Sequence, residues 1–188
     1  MTDPSDAPAL VQEIGRLRAE VARLEQRIEQ LDQLAHFDSL VPLPNRRGFL
    51  RQLEMRIDRA DRYGDHSAVL FVDVDGLKVL NDSFGHHAGD AALVHVAQLL
   101  AAGTRQSDCV ARFGGDEFAI LLEHADGKEA AETAARLVDR IAGTDFHHDG
   151  HAIPLSAAIG IALIEPGDRC EAVINRADRA MYEEKAAA

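Results

Sequence analysis

Tryptophan is absent from these 188 residues, aromatics make up only 5%, and there are just two cysteines, three methionines and six prolines. A core with so few rings has to be filled by Ala, Val, Leu and Ile. Cys109 and Cys170 sit in separate apolar-periodic segments without metal-type spacing, which argues against a disulfide scaffold or a zinc site. They read as reduced core residues of a cytoplasmic protein. Positive charge is scarce too: 20 Lys and Arg face 32 Asp and Glu, for a formal net charge of −12. With no basic stripe to offset it, that charge argues against nucleic acid or an anionic membrane surface as a partner. No apolar run approaches the roughly 18 residues of a membrane span. The opening Met1–Asp6 is polar and acidic, unlike a signal peptide.

What is present begins with a leucine repeat. Residues 1–9 read as a disordered lead-in, and residues 10–36 as a coiled-coil dimerisation helix. Leu10, Leu17, Leu24 and Leu31 take d positions, with Ile14, Val21 and Ile28 at a. β-Branched residues at a and leucine at d favour a parallel two-stranded coil. Across such a dimer Glu13 meets Arg18 and Arg27 meets Asp32, while Glu20 against Glu25 is repulsive. The other reading is a single amphipathic helix packed on its own domain. At Ala35 the heptad fails, and Asp38–Asn45 carries two prolines that cannot continue a helix. That stretch is the expected joint to a domain over 37–188.

Within the domain, helical spacing runs over 46–63 and an unbroken apolar run over 67–73 reads as a buried strand. A helix follows over 89–102, then strands at 109–113 and 118–122, a helix near 128–142, a turn at Asp149-Gly150, a strand over 155–163 and a closing helix over 169–185. The order β-α-α-β-β-α-β-α after one leading helix implies an α+β fold, a mainly antiparallel sheet with helices on one face.

The chemistry gathers at two places. Arg112-Phe113-Gly114-Gly115-Asp116-Glu117-Phe118 puts two carboxylates after a Gly-Gly pair between two strands, where a hairpin turn needs φ > 0. Bare backbone lets a ligand approach, and the acids suit a divalent metal carrying a phosphate; a solubilising surface hairpin is the plainer alternative. The first strand ends in Asp73-Val74-Asp75-Gly76-Leu77-Lys78. Acids at the end of a buried strand are costly unless paired or bound to a cation. If the hairpin strand pairs beside this one, Asp73 and Asp116 share a face and clamp Mg²⁺. Lys78 offers a point charge to phosphate. Asn81 and Asp90 are short polar groups suited to a base edge, and a carboxylate accepting two donors matches guanine better than adenine. Taken singly, Asp75 is also a turn former, Asn81 a loop cap and Asp90 a helix N-cap.

Asp73-x-Asp75-x-x-Lys78-x-x-Asn81-Asp82, Gly85-His86-x-x-Gly89-Asp90 and Arg112-x-Gly114-Gly115-Asp116-Glu117-Phe118 together resemble the GGDEF-domain diguanylate cyclases. Leu43-Pro44-Asn45-Arg46-Arg47 and Asp178-x-Ala180-x-Tyr182-x-x-Lys185 match that family's opening and closing signatures. The resemblance covers about residue 36 to the end. It implies a fold like the palm of nucleotidyl cyclases and polymerases, and condensation of two GTP into cyclic di-GMP and two pyrophosphates. It implies that Asp73, the Val74 carbonyl and Asp116 hold Mg²⁺ (or Mn²⁺), with Glu117 beside them. Asp116, Glu117 and Lys78 are then catalytic. Asn81 and Asp90 read guanine, Lys78 and Lys185 meet phosphates, and Gly76, Leu77, Gly114 and Gly115 lie against the nucleotide. Each domain carries one GTP, so the resemblance implies a homodimer, which the coil promotes by raising local concentration.

Arg105-x-x-Asp108 could be an i,i+3 ion pair at a helix end. In the family that spacing marks an inhibitory product site, to which Arg59 adds a second arginine. The chain also departs from the pattern. Leu40-Val41-Pro42-Leu43 replaces Leu-Thr-Gly-Leu, which stiffens or re-aims the joint. Leu77 replaces phenylalanine, and Lys185 is followed by Ala186-Ala187-Ala188 where Gly-Arg-Asn is usual, so an arginine expected near the phosphates is missing. The alternative function is therefore a weak or inactive domain that binds cyclic di-GMP or GTP as a signalling module. His147, His148 and His151 read as a solvated loop rather than a metal site.

Overall fold

The structure, a computed structural model, describes residues 7–187, without the side chains of residues 7–10, 33 and 187. The expected lead-in therefore falls mostly outside the described residues, as does the side chain of Leu10. The chain divides into two compact units, Met1–Ala35 and His36–Ala188.

The first unit is helix α1 (Ala7–His36). It already covers residues 7–9, within the expected lead-in. Ile14, Leu17, Val21, Leu24, Ile28 and Leu31 all lie 45–66% exposed, so the a/d stripe is unburied in the single chain. Glu13 and Glu20 bond to Arg16 and Arg23 of their own helix, at 2.8 and 2.7 Å.

In the second unit, Asp38 turns the chain. Its Oδ1 accepts from the N–H of Leu40 and Val41 at 2.9 and 3.0 Å. Val41 and Leu43 plunge into the core, so the proline-rich joint is a packed loop. Asn45 then caps α2 (Arg46–Tyr63) by accepting from Gly48 N–H, the role that Ser, Asn and Asp take at helix starts. The remaining elements are β1 (Ser67–Val74), α3 (Leu77–Phe84), α4 (His86–Gly103), β2 (Cys109–Gly114), β3 (Glu117–Glu123), α5 (Gly127–Ala142), β4 (Phe146–His148), β5 (His151–Ile153), β6 (Ala157–Leu163) and α6 (Cys170–Ala187).

The main sheet has the order β2-β3-β1-β6, and its paired neighbours all run antiparallel. Helices cover both faces, not one. Leu70, Val72 and Val74 of β1 pack in one cluster with Leu93, Val96 and Leu100 of α4 and Leu137 and Ile141 of α5. Val69 and Phe71 point the other way, toward Phe49 and Leu53 of α2 and Val173, Ala177 and Met181 of α6. An unbroken apolar strand is what burial on both faces requires. Gly160 lets α6 lie on β6: a Cβ there would stand 2.1 Å from Ala177 O and Met181 N.

The Asp149-Gly150 turn is bracketed by two short strands that the sequence pattern did not reveal. Both residues have positive φ, 48° and 79°, the signature of a type I′ hairpin. His148 pairs across it with His151, while Phe84 and Phe146 lie against their rings.

Candidate active site at the end of β1 and β3

β3 pairs directly beside β1, as the carboxylate reading requires, and the register sets Glu117 opposite Asp73. Directly opposed residues of an antiparallel pair share a face. Asp116 lies one residue earlier, in the turn, and its carbonyl accepts from Val74 N–H at 3.0 Å. The turn is held open by glycine backbone: Gly114 has φ 142° and Gly115 has φ 53°, values L side chains rarely adopt. Arg112 braces it, donating through Nη2 to Gly115 O at 2.8 Å and through Nη1 to Asp38 Oδ1 at 3.1 Å. The joint and the Gly-Gly turn thus share one guanidinium, a contact across 74 residues of sequence that spacing alone could not disclose.

Negative charge is concentrated here. Burial, followed by the Asp73, Asp116 and Asp178 carboxylates, pushes the Glu117 carboxyl above its usual range, and Arg46 offsets part of that. Arg46 itself sits over the Phe113 ring, 5.6 Å from its centre. Lys185, expected at phosphate, instead stands on the strand-end acids. Its Nζ is 2.5 Å from Asp73 Oδ1 and 3.0 Å from Asp75 Oδ1. Burial alone would lower the Lys185 ammonium's pKa; the two carboxylates overcome that and hold it above lysine's ordinary value. Asp75 is held from the other side by Ser156, whose Oγ donates to it at 2.8 Å. Among the described residues no three His, Cys, Asp or Glu side chains form a ready cation cage. The donors are nonetheless hard oxygen ligands, and a positive charge already rests on two of them.

The base-reading candidates lie on the two helices that follow. Gly76 (φ 67°) starts α3, Leu77 is its first residue, and Lys78 is exposed on it. Asn81 lies against Gly89 of α4 so closely that a Cβ on that glycine would meet Asn81 Oδ1 at 2.0 Å. That Oδ1 is buried without a hydrogen-bond partner, and Asp90, the residue after Gly89, is exposed. A buried orphan acceptor is costly to leave unmade.

The model of the family "Diguanylate cyclase, GGDEF domain" matches residues 35–188. The chain belongs to the GGDEF family. Two curated relatives come from Pseudomonas aeruginosa. The bifunctional diguanylate cyclase/cyclic di-GMP phosphodiesterase MucR is 46% identical over 83% of this chain and 23% of its own length. Diguanylate cyclase TpbB is 40% identical over 90% of this chain and 39% of its own length. The chain therefore spans well under half of these relatives. Among solved structures, the coiled coil and GGDEF domain of DgcB from Caulobacter crescentus, in complex with c-di-GMP, superimposes with TM-score 0.89 at 26% identity, covering 95% of each chain. The GGDEF domain of TpbB gives TM-score 0.77 at 41% identity, over 81% of this chain and 90% of that one.

The other end of the same strands of the GGDEF domain carries Arg105 and Asp108. They do not form the i,i+3 side-chain pair. Asp108 is a loop brace, its carboxylate accepting from the N–H of Arg105 at 2.8 Å and of Glu123 at 3.1 Å. Burial pushes its carboxyl above the usual range. The Arg105 side chain is exposed. Arg59 is ion-paired with Asp65 at 2.8 Å, and Arg56 with Glu123, a pair 67 residues apart that no local signal announced. Cys109 and Cys170 are free and half-buried at the edge of the core, packed against its α2–α6 cluster, and burial pushes the Cys109 thiol up to about 11. Among the described residues no helix is long and apolar enough to cross a membrane.

Proposed function

We propose that this GGDEF domain is a diguanylate cyclase, joining two GTP into cyclic di-GMP with release of two pyrophosphates. The observation that carries the reading is the register of Asp73 against Glu117 beside the glycine turn, with Asp116 and Asp178 near enough to raise Glu117. Asp73, the Val74 carbonyl and Asp116 would hold Mg²⁺ or Mn²⁺, and the register adds Glu117 to that set. The cation supplies Lewis-acid stabilisation of phosphate charge during in-line displacement. Lys78 and Lys185 balance phosphate charge, and the backbone of Gly76, Leu77, Gly114 and Gly115 lies beside the nucleotide. Asn81 and Asp90 read the base edge of guanine, the amide donating or accepting and the Asp90 carboxylate accepting N–H groups. Each bond to an absent guanine donor leaves a desolvated acceptor, which is how such a site rejects adenine.

One domain positions one GTP, so each 3′-hydroxyl must meet the α-phosphate held by a second copy. Exposed apolar a and d positions along α1 support a parallel coiled-coil homodimer, which raises the concentration of one domain near the other. Arg105 and Asp108, with Arg59, form the proposed product site, where cyclic di-GMP slows turnover. Arg59 must then leave Asp65 or reach the ligand over it.

The test is incubation with GTP and Mg²⁺ followed by chromatography of the nucleotides. Cyclic di-GMP should appear, added cyclic di-GMP should slow its formation, and Arg105→Ala should relieve that slowing. GTP binding without product would leave the chain a nucleotide-binding signalling module, and an Arg105→Ala protein still fully inhibited would remove the product-site assignment.

A further inference from the structure

We propose that Lys185 is an exchange residue: its ammonium stands on Asp73, a proposed cation ligand, and on the neighbouring Asp75, so Asp73 accepts a divalent cation together with a polyphosphate and resists one arriving alone. The inference rests on the cation reading above. Lys185 Nζ lies 2.5 Å from Asp73 Oδ1 and 3.0 Å from Asp75 Oδ1, with the three side chains only 30%, 20% and 40% exposed. A cation bound to Asp73 while the ammonium stays would lie against a second positive charge on the same carboxylate.

A bare cation reaching Asp73 must therefore push the ammonium off that acid and leave it, half-buried, on Asp75 alone beside a new positive charge, a costly state. A nucleotide triphosphate changes that balance. Its anionic oxygens arrive with the cation and give the displaced ammonium new acceptors. Cation and nucleotide then each favour the other's binding, and the coupling is reciprocal by linkage.

The surroundings confine the exchange to the lysine stem. Asp75 is tethered to the loop before β6 by Ser156 Oγ at 2.8 Å and by its own N–H on Ser156 O at 2.9 Å. α6, which carries Lys185, is seated against Gly160 so closely that even a methyl group would collide with its backbone. With both anchors fixed, the flexible four-carbon side chain is the part free to swing. Lys78, exposed on α3 and forming no ion pair among the described residues, does not stand on these acids and cannot serve as the gate.

The test is a Mn²⁺ titration followed by the electron paramagnetic resonance of the free ion, with Asp73→Asn subtracted as the blank for other acidic surface sites. Wild type, Lys185→Met and Lys185→Arg are compared with and without a non-reactive GTP analogue, after thermal melts show that each is folded. Lys185→Met should bind Mn²⁺ alone about fivefold or more tightly than wild type. The gain in Mn²⁺ affinity brought by the analogue should shrink by the same factor. Lys185→Arg, which keeps the charge, should behave as wild type does. Equal Mn²⁺ affinity of wild type and Lys185→Met without nucleotide would overturn the exchange, as would Lys185→Arg matching Lys185→Met. If wild type still makes cyclic di-GMP in that event, only the exchange fails. Absence of Asp73-dependent Mn²⁺ binding in every protein, with or without analogue, overturns the exchange and the cation reading together.

Discussion

The two ends of the β1–β3 pair handle negative charge in opposite ways. At the Ser67 end, the acids have local partners: Glu123 meets Arg56, Asp65 meets Arg59, and Asp108 accepts two backbone N–H groups. At the Val74 end, Asp73, Asp116, Glu117 and Asp178 crowd one another, and Glu117 is pushed up by burial and by those neighbours. Both ends use similar residue types on the same two strands, so the difference is one of compensation. Charge that the fold neutralises holds structure together; charge that it leaves in excess is available to a ligand. Lys185 is the partial exception at the excess end, and it covers only Asp73 and Asp75.

The comparison can be broken most directly at the excess end. Asp116→Ala should cut formation of cyclic di-GMP on the order of 10²–10³-fold, the scale of losing one electrostatic element of a reaction site, while leaving the melting temperature at or above that of wild type. Retained turnover, read by nucleotide chromatography at equal protein, would show that the crowded acids are not the reaction centre.

The compensated end predicts the reverse. Glu123→Gln leaves Arg56 largely buried, with 20% of its side chain exposed, and with Nε already lacking a partner. Removing one partner of a fully buried pair costs about 3–5 kcal/mol; the residual exposure here reduces the expected loss to about 2 kcal/mol. Urea unfolding should show it as a lower midpoint with an unchanged slope, and turnover per folded molecule should hold. A Glu123→Gln protein as stable as wild type would mean that this pair contributes nothing to stability despite its burial.

How far the sequence carried depends on whether the signal was local. α2 begins where two prolines and a capping asparagine dictate, and the continuous apolar run of 67–73 became β1 as read. The same run held the evidence for burial on both faces, which the one-faced expectation overlooked. β4 and β5 went unseen because three residues are too few to show a period, although their Asp-Gly turn was plain. At the site, Gly115 and Asp116 fall in the hairpin turn, Asp73 at the strand end and Asp90 on a helix as read, but Lys78 and Asn81 lie on a short helix, α3, whose span the spacing had not given. Which acid stands opposite Asp73 is a matter of register, and register placed Glu117 there. Lys185 on Asp73, Arg112 between Asp38 and Gly115, and Glu123 on Arg56 join residues far apart in sequence, where spacing carries no information.

The smallest effect is also the sharpest on sign. A carboxyl whose folded-state pKa is raised favours the protonated form in the folded chain. The folded state then binds more protons than the unfolded one between the two pKa values, so stability falls as pH rises through that interval. Glu117, raised by burial and then by Asp73, Asp116 and Asp178, therefore costs stability once it is ionised. Glu117→Gln removes that cost. In chelator, the variant should be more stable than wild type at neutral pH by less than about 1 kcal/mol, since solvent screens a site this open. The advantage should fade as pH falls below the ordinary glutamate range, where wild type is protonated in both states. Removing an acid at this end thus stabilises, and removing one at the Glu123 end destabilises. Melts of both variants across pH 4–8 read the two signs directly, and equal signs would mean that the fold does not distinguish its two ends.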